Sequence, residues 1–298
     1  MSRSALVSVI IPTFNMAKFL PDAVRSVLSQ THTNLEIHVV DDGSTDDTAI
    51  VMKQFEMDNR VFLHKQPNGG VSNARNRGIQ SARGDFIGLC DADDLWTPNK
   101  LELQLTAFQD RPELGIVYCT TRPFNENGAV IKTHAVPRFS GKITSQLLLD
   151  NFVTGSTSLI RKECFDKVGL YDESLTTCED YDLWLRISLF YEMLFIDEPV
   201  YEYRQWEGQA SSSLDELKFY RDAITVKEKF LTQNPYIVDS KTRREIWAAM
   251  YSGRAKCVMR CTARRMSALP DIIHAIQYCP WRLETWKAAL KVLVNRVY

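Results

Sequence analysis

The sequence predicts an α/β protein with a mostly parallel central sheet flanked by helices, followed by a helical C-terminal extension. Two observations lead to this fold class. Strand-like and helix-like segments alternate four times between residues 7 and 91, and such alternation is typical of a parallel sheet with right-handed crossovers. After about residue 215 the hydrophobic pattern is helical throughout. With 298 residues, the chain is long enough to bury a large core.

The alternating segments follow in order from the spacing of apolar residues. Short apolar or β-branched runs predict strands, and apolar residues three or four apart predict helices. The predicted strands are residues 7–11, 35–41, 60–65, 84–91, 115–121, 157–162 and 194–204, and the first helices are residues 18–30, 48–57 and 70–82. In parallel sheets, ligands bind beyond the carboxyl ends of the strands. We therefore expect the polar loops 12–15, 41–45 and 91–94 to converge at one edge of the sheet.

Charge is unevenly distributed along the chain. The formal net charge of −1 argues against bulk nucleic-acid binding, and 45% hydrophobic with 24% charged residues is typical of a soluble globular protein. Residues 216–298 hold 16 basic and 7 acidic side chains, a balance of +9, whereas the rest of the chain has a balance of −10. We therefore divide the chain into an α/β domain, residues 1–214, with halves 1–95 and 96–214, and a basic helical region, residues 215–298.

The seven cysteines form no Cys-x-x-Cys pair. Their scatter predicts reduced thiols in a cytosolic protein rather than a disulfide framework or a zinc site. Pro12 interrupts the first apolar run too early for a signal peptide, and no apolar segment approaches the 18 residues of a membrane span. These features predict a cytoplasmic location. The cysteines are Cys90, Cys119, Cys164, Cys178, Cys257, Cys261 and Cys279.

The stretch GDFIGLCDADDLWTP, residues 84–98, places Asp91, Asp93 and Asp94 directly after an apolar run. Crowded carboxylates repel one another unless a cation lies among them. Mg²⁺ and Mn²⁺ accept one or two carboxylates and leave coordination positions for the oxygens of a diphosphate. An Asp-rich solvated turn is the alternative. Because the sequence contains neither Gly-x-Gly-x-x-Gly nor a P-loop, metal and side chains would have to hold any phosphates.

Two further polar segments have both a structural and a functional interpretation. Residues 39–48, VVDDGSTDDT, form a second acidic turn at a strand end, and helix capping alone explains most of its composition. Residues 69–78, GGVSNARNRG, carry Arg75 and Arg77 on a predicted helix next to the acidic loops. A solvated basic helix face is the alternative for these arginines.

A third acidic segment opens a predicted helix later in the chain. Residues 178–187, CEDYDLWLRI, place Glu179 and Asp180 just before that helix. Acidic residues at this position commonly interact with the helix dipole, which contributes about 0.3–1 kcal/mol. The functional interpretation is a general base, a carboxylate that takes a proton from an incoming hydroxyl group.

Taken together, the segments SVIIPTFN, VVDDGSTDDT, GVSNARNRG, FIGLCDADD and CEDYDLWLR, in this order, resemble family 2 glycosyltransferases, which have the GT-A fold. The resemblance covers residues 5–206, about two-thirds of the chain. It implies a Rossmann-like GT-A domain that uses Mn²⁺ or Mg²⁺ and a nucleotide-sugar donor. It also implies a single displacement at the anomeric carbon, which inverts the anomeric centre.

The resemblance implies roles for individual residues of the donor site. Those matching positions that hold the nucleobase and ribose are Pro12, Thr13, Asp42 and Arg75. Asp91 matches the first aspartate of the metal motif, near the ribose, and Asp93 matches the ligand of the cation. Ala92 lies between them in the same donor site. We therefore expect Asp91 and Asp93 to hold the metal and the sugar nucleotide together.

The remaining implied roles concern the acceptor side. Asp180 matches the catalytic base, and Glu179 is its neighbour. Processive synthases of the family carry Gln-x-x-Arg-Trp and several membrane helices, whereas this chain has YEYRQWEGQ and no predicted span. It is therefore similar to the non-processive members, which add one sugar per acceptor. We expect Arg204 to reach the diphosphate and Trp206 the acceptor, with a buried structural tryptophan as the alternative.

The acceptor and the donor sugar are not specified by any motif. A UDP-sugar is the expected donor, with a dTDP-deoxysugar as an alternative, and a glycan or lipid-linked acceptor of surface polysaccharide biosynthesis is the expected acceptor. The basic C-terminal segment, residues 281–298, predicts an amphipathic helix that either lies on the inner face of an anionic membrane or packs on its own domain. Its apolar residues are Trp286, Leu290 and Leu293, and its basic residues include Lys287, Lys291 and Arg296.

Three other classes of protein share some of these features. A sugar-nucleotide nucleotidyltransferase has a similar sheet, but it normally opens with a Gly-rich loop that IPTFNMAKF lacks. A metal-dependent phosphatase can also carry Asp-x-Asp after a strand. A non-catalytic carbohydrate-binding protein would not need Asp180. Nothing in the sequence indicates an oligomeric state.

Overall fold

The computed structural model describes residues 5–132, 137–209, 216–261, 265–283, 285–287 and 290. The chain divides into two compact units. The first unit comprises Met1–Ile143 and Phe152–Gln209, and the second unit comprises Thr144–Asn151 and Ala210–Tyr298.

One sheet organises the first unit. Its strands are β1 (Val7–Thr13), β2 (Leu35–Asp41), β3 (Val61–Lys65), β4 (Phe86–Leu89), β5 (Leu95–Trp96), β6 (Leu114–Asn125), β7 (Leu159–Arg161) and β8 (Glu192–Gln205). In the described residues they form the order β3-β2-β1-β4-β7-β6-β8-β5. Strands β3, β2, β1 and β4 are mutually parallel, as are β6 and β8, whereas β7 and β5 run antiparallel to their neighbours. The mostly parallel α/β architecture predicted from the sequence is therefore confirmed.

Helices follow most of the strands. In the first unit they are α1 (Leu20–Leu28), α2 (Thr48–Met52), α3 (Val71–Ser81), α4 (Lys100–Phe108), α6 (Glu163–Val168) and α7 (Glu179–Ser188). Those of the second unit are α5 (Thr144–Leu149), α8 (Glu216–Gln233), α9 (Ser240–Cys261) and α10 (Leu269–Tyr278). The prediction of a helical C-terminal region is confirmed for the described residues after 215, which are mostly helical.

Strand β1 extends two residues beyond its predicted end at Ile11. Pro12 lies within the strand, opposite Val40 of β2, although proline cannot donate a hydrogen bond to a neighbouring strand. The pairing of β1 with β4 ends at Ile10 and Leu89. At Pro12 the strand is therefore bonded on one side only, which is where a sheet tolerates proline.

The core of the first unit lies on both faces of β1 and β2. Every residue of these two strands is buried, as expected for parallel strands covered by helices on both sides. Helix α1 adds a stripe at helical spacing to the core cluster that contains Val9 and Ile37. The buried residues of that stripe are Leu20, Ala23, Val24 and Val27.

The loops after β1 and β2 meet, as the sequence predicts for carboxyl ends of neighbouring parallel strands. Asn15 has a left-handed backbone with a φ of 55°. Its backbone N–H donates to the hydroxyl of Ser44 at 2.9 Å, and its side-chain oxygen accepts from the N–H of Thr45 at 2.7 Å. The N–H of Asp42 donates to the carbonyl of Thr13 at 2.9 Å. These bonds bring two of the predicted polar loops together.

The second unit is formed by helices from two separate stretches of the chain. Helices α8, α9 and α10 pack together, and α5 packs on α9. Ala255, Ala268 and Ile272 form a small buried cluster in this unit. Among the described residues, we find no helix with the length and apolar character needed to cross a membrane.

Candidate active site

The loop after β4 carries the aspartates that the sequence analysis singled out. The indole N–H of Trp206 donates to Oδ2 of Asp93 at 2.8 Å, and Nε of Arg204 donates to the backbone carbonyl of Asp93, also at 2.8 Å. The hydroxyl of Ser156 donates to Oδ2 of Asp91 at 2.5 Å. Strand β8 and the turn before β7 therefore hold this loop from two sides.

Asp94 is a structural anchor of the same loop. It is 1% exposed, and its carboxylate accepts from the Tyr201 hydroxyl and, at 2.7 Å, from the backbone N–H of Arg204. Burial and the charges of Asp91 and Asp93 raise its pKa well above the usual range, although the Tyr201 hydrogen bond acts in the opposite direction. Asp94 thus ties the acidic loop to β8.

Asp93 lies in an environment that disfavours an isolated negative charge. Burial raises the pKa of its carboxyl group, the hydrogen bond from Trp206 lowers it, and the charge of Asp91 raises it further. A divalent cation beside the two carboxylates would relieve both the desolvation and the repulsion. The donor set, two hard carboxylates, is the kind that Mg²⁺ and Mn²⁺ accept.

Arg75 lies at the centre of the carboxylate cluster. It is 5% exposed, and its guanidinium contacts Oδ1 of Asp91 at 3.3 Å, Oε1 of Glu179 at 2.9 Å and Oδ1 of Asp180 at 3.1 Å. Burial by itself lowers the pKa of an arginine, but the carboxylates raise that of Arg75 well above its ordinary value. The alternative of a solvated helix face is therefore wrong for Arg75 and holds for the exposed Arg77.

Asp180 occupies the first turn of α7 and faces a glycine. Burial raises the pKa of its carboxyl group to about 6, Arg75 opposes the shift, and Glu179 adds to it. A Cβ atom on Gly155 would lie 2.4 Å from Oδ2 of Asp180, so only glycine leaves room for the carboxylate there. A carboxylate with a pKa near 6 is largely ionised at pH 7 and remains basic enough to accept a proton.

Among the described residues, the residues predicted at the ends of β1 and β2 make no hydrogen bond to the Arg75 cluster. Thr13 is 3% exposed, and its hydroxyl makes no hydrogen bond within the described residues. The carboxylate of Asp42 accepts from the backbone N–H groups of Gly69 and Gly70, each at 2.8 Å. Asp42 therefore holds the loop that precedes α3, the helix that carries Arg75.

Arg204 and Trp206 are fixed by aromatic side chains. The Arg204 guanidinium lies 4.9 Å from the ring centroid of Phe19 and 4.8 Å from that of Phe124, within the range of cation–π attraction. The rings of Trp206 and Phe19 are 5.0 Å apart. Arg204 at the end of β8 and Trp206 just after it also donate hydrogen bonds to Asp93, so both predicted residues contact the acidic loop directly.

The comparison with known protein families shows which family the chain belongs to. The sequence model of the family described as "Glycosyl transferase family 2" matches residues 8–169 of the chain. The chain belongs to glycosyl transferase family 2. It is 34% identical over 247 residues to an uncharacterized glycosyltransferase of Rickettsia prowazekii, and the alignment covers 79% of this chain and 75% of that protein. It is 33% identical over 191 residues to the chondroitin synthase of Escherichia coli, and the alignment covers 63% of this chain and 27% of that enzyme.

Solved structures show that this glycosyltransferase has the GT-A fold. The structure of S. aureus TarS in complex with UDP-GlcNAc superposes with a TM-score of 0.70 and 20% sequence identity, covering 97% of this chain and 88% of that chain. The mannosyltransferase PcManGT of Pyrobaculum calidifontis, in complex with GDP-Man and Mn²⁺, superposes with a TM-score of 0.59 and 18% identity, covering 99% of this chain and 89% of that chain.

The structure of the glycosyltransferase brings most of the predicted site residues together and adds others. Arg75 joins Asp91 to Glu179 and Asp180, and Trp206 and Arg204 join Asp93. No hydrogen bond connects Arg75 to Thr13 or Asp42 among the described residues. Pro12 and Ala92 are buried beside these loops. The residues that the sequence analysis did not assign are Asp94, Gly155, Ser156, Tyr171 and Tyr201, of which Asp94 and Tyr201 stood in segments that it quoted.

Proposed function

We propose that this glycosyltransferase moves one sugar from a nucleotide-sugar donor, with a UDP-sugar as the first candidate, to a hydroxyl group of a glycan or lipid-linked acceptor, with inversion at the anomeric carbon. The observation that carries the proposal is the position of Arg75. Its guanidinium is within 3.3 Å of Asp91 on one side and of Glu179 and Asp180 on the other. Two of the candidate donor residues, Arg75 and Asp91, therefore belong to one cluster with the candidate base.

The donor is expected to lie along the carboxyl edge of the sheet. Thr13 supplies a buried hydroxyl that no described residue satisfies, and Pro12 and Asp42 flank it at the ends of β1 and β2. We assign the nucleobase and ribose to this part of the edge. Asp91, Ala92 and Arg204 would then face the ribose and the diphosphate.

Asp180 is proposed as the general base. Its carboxylate takes the proton of the acceptor hydroxyl, while the acceptor oxygen forms a bond to the anomeric carbon. The bond from that carbon to the phosphate oxygen breaks, and the nucleoside diphosphate leaves with the electron pair. Glu179 and Arg75 position the base, and Gly155 leaves the space in which it lies.

The two carboxylates after β4 fit a divalent cation. Asp93 and Asp91 would hold Mn²⁺ or Mg²⁺, because hard carboxylate ligands suit these cations. A cation would also offset the burial and repulsion that raise the pKa of Asp93. When bound, the cation would offset the charge of the leaving diphosphate.

The remaining parts of the proposal concern the acceptor and the location. We infer a non-processive enzyme of surface polysaccharide biosynthesis, in which Trp206 contacts the acceptor. In this proposal residues 1–214 form the catalytic domain and residues 215–298 form the helical region. Exposed Trp281, Trp286 and Leu290 support peripheral contact with the inner face of the cell membrane. The other predicted residues of this surface, Lys291, Leu293 and Arg296, lie outside the described residues.

Thermal unfolding with ligands tests the donor site. We would compare UDP, dTDP, GDP and CMP, each with Mn²⁺, for the wild type, Asp93→Ala and the control Asp166→Ala, at an exposed position of α6. A nucleotide at 100 times its dissociation constant adds about 2.7 kcal/mol of stability. We expect a metal-dependent shift for one nucleotide that persists in the control and is lost in Asp93→Ala. No shift with any nucleotide would contradict the proposed donor site.

Activity tests the base and the class of reaction. The donor identified by the shift, incubated with candidate acceptors, should release its nucleoside diphosphate, and Asp180→Asn should reduce that release by at least about 100-fold. Full transfer by Asp180→Asn would favour a carbohydrate-binding role for this cluster. Release of pyrophosphate from a nucleoside triphosphate and a sugar 1-phosphate, with no nucleoside diphosphate released from the nucleotide sugar, would favour a nucleotidyltransferase. Pelleting with anionic liposomes, compared with a chain lacking residues 281–298, tests the membrane contact.

A further inference from the structure

Two cysteines and a glutamate form a compact cluster in the second unit. Cys257 and Cys261 lie one helical turn apart on α9, and Glu216 is the first residue of α8. The two Sγ atoms are 3.8 Å apart, and Sγ of Cys257 lies 3.4 Å from Oε2 of Glu216. In the part of the chain that the structure describes, no other group of three His, Cys, Asp or Glu side chains offers ligand atoms this close together.

These two distances match edges of a tetrahedral metal site, and all three ligand atoms lie within 4.8 Å of one another. With Zn–S bonds of about 2.3 Å, two thiolates at tetrahedral positions lie about 3.8 Å apart, and a carboxylate oxygen at about 2.0 Å lies about 3.5 Å from each sulfur. We propose that Cys257, Cys261 and Glu216 bind a thiophilic divalent cation, with Zn²⁺ as the first candidate. The sequence lacks Cys-x-x-Cys, but the spacing of four places both thiols on one face of α9.

The surroundings of the cluster are compatible with a bound cation. Two thiolates and one carboxylate around a divalent cation carry a net charge of −1, and Nη2 of Arg260 is 2.6 Å from Oε2 of Glu216. Oε2 of Glu216 has two lone pairs, so it can accept from the arginine and bind the metal. Cys257 is buried, whereas Cys261 and Glu216 are exposed, so solvent can supply the fourth ligand and receive the two thiol protons.

The expected role of the site is structural. The cation would join the first residue of α8 to the last turn of α9, two helices that already pack together. Zinc held by two thiolates contributes directly to the stability of the helices that supply its ligands. The proposal is independent of the sugar-transfer chemistry, since all three ligands lie in the second unit and none belongs to the carboxylate cluster.

Cobalt is a suitable spectroscopic probe of this site. The reduced, metal-free full-length chain would be titrated with Co²⁺, for the wild type, Cys257→Ser, Cys261→Ser, Glu216→Gln and the control Cys279→Ser, which removes another buried cysteine of the second unit. Thiolate–Co²⁺ charge-transfer absorption identifies sulfur ligation. Co²⁺ bound to the aspartates after β4 would have oxygen ligands only and would not give this band.

We expect one equivalent of Co²⁺ to give the charge-transfer band in the wild type and the control, and Zn²⁺ to abolish it by displacement. The band should be lost in Cys257→Ser and Cys261→Ser, and Glu216→Gln should weaken binding at least tenfold. Because Cys261 is exposed, Cys261→Ser should fold even if Cys257→Ser does not. A wild type without the band, a band that survives Cys261→Ser, or one cation per two chains would overturn the proposal.

Discussion

Asp180 depends on its immediate neighbours for both its position and its basicity. Gly155 leaves the volume in which the carboxylate lies, and Arg75 contacts it at 3.1 Å. Tyr171, which is 4% exposed, lies under the Arg75 guanidinium with 5.4 Å to its ring centroid. These neighbours come from three different segments of the chain, so the chemistry of the base is set by contacts that no local pattern encodes.

Gly155→Ala should displace the Asp180 carboxylate, because the added Cβ would lie 2.4 Å from Oδ2. A misplacement of about 1 Å can reduce activity about 100-fold, and we expect a loss of kcat/KM of that size while nucleotide binding persists. The control is Gly169→Ala, where a φ of 84° should lower stability without changing activity. Wild-type activity in Gly155→Ala would contradict the role of this glycine.

The pH dependence of transfer should follow the ionisation of Asp180. Its pKa of about 6 in the folded protein, set chiefly by burial, predicts a tenfold fall in kcat/KM for each pH unit below 6. The Tyr171 hydroxyl lowers this pKa, so Tyr171→Phe should move the fall to higher pH. Tyr118→Phe, which removes another buried hydroxyl that donates to the Phe139 carbonyl and not to Asp180, should leave the profile unchanged. A profile that is identical in Tyr171→Phe would refute the assignment.

At the scale of elements, one buried carboxylate joins three segments of the sheet. Glu36 of β2 is 2% exposed and accepts hydrogen bonds from Ser8 of β1, at 2.7 Å, and from the backbone and guanidinium of Arg83. Burial raises its pKa, but these hydrogen bonds outweigh burial and lower it from 4.5 to about 2. The carboxylate therefore fixes β1, β2 and the start of β4 in register.

The contribution of Glu36 to the free energy of unfolding should depend on pH. Because the pKa of Glu36 is lower in the folded chain than in the unfolded chain, its contribution is complete above pH 4.5 and is lost as the pH falls towards 2. Glu36→Gln should therefore cost about 2–3 kcal/mol at pH 7 and less at pH 3, measured by urea unfolding. Glu163→Gln, in an exposed ion pair, should cost under about 1 kcal/mol at both pH values. An equal cost of Glu36→Gln at both pH values would contradict this account.

At the scale of the whole molecule, the second unit takes one of its helices from the middle of the sequence. Helix α5, residues 144–149, packs on α9 rather than belonging to the sheet-containing unit. Leu147 and Leu148 of α5 are completely buried. The helical region is therefore not an independent appendage of the chain, because its core includes residues that precede β7.

A chain that ends at residue 209 should be less stable than the full chain. Removing α9 takes away the surface on which α5 packs, and exposing two leucines costs about 3–5 kcal/mol. We expect lower solubility and a lower urea midpoint, while a chain that ends at residue 287 and keeps the contact of α5 with α9 should resemble the full chain. A soluble 209-residue chain with an unchanged unfolding midpoint would show that α5 does not need the second unit.

The sequence by itself determined the α/β class, the parallel half of the sheet and the membership of glycosyl transferase family 2. Apolar periodicity is a local property, and the acidic motifs lie at strand ends whose place in a parallel sheet is fixed by topology. The approach of Arg75 to Asp180, 105 residues apart, was decided only by the tertiary structure. So were the space at Gly155, the anchoring of Asp94 by Tyr201 and the pairing of Glu216 with two cysteines. These depend on contacts between distant segments, and periodicity and composition do not record which segments meet.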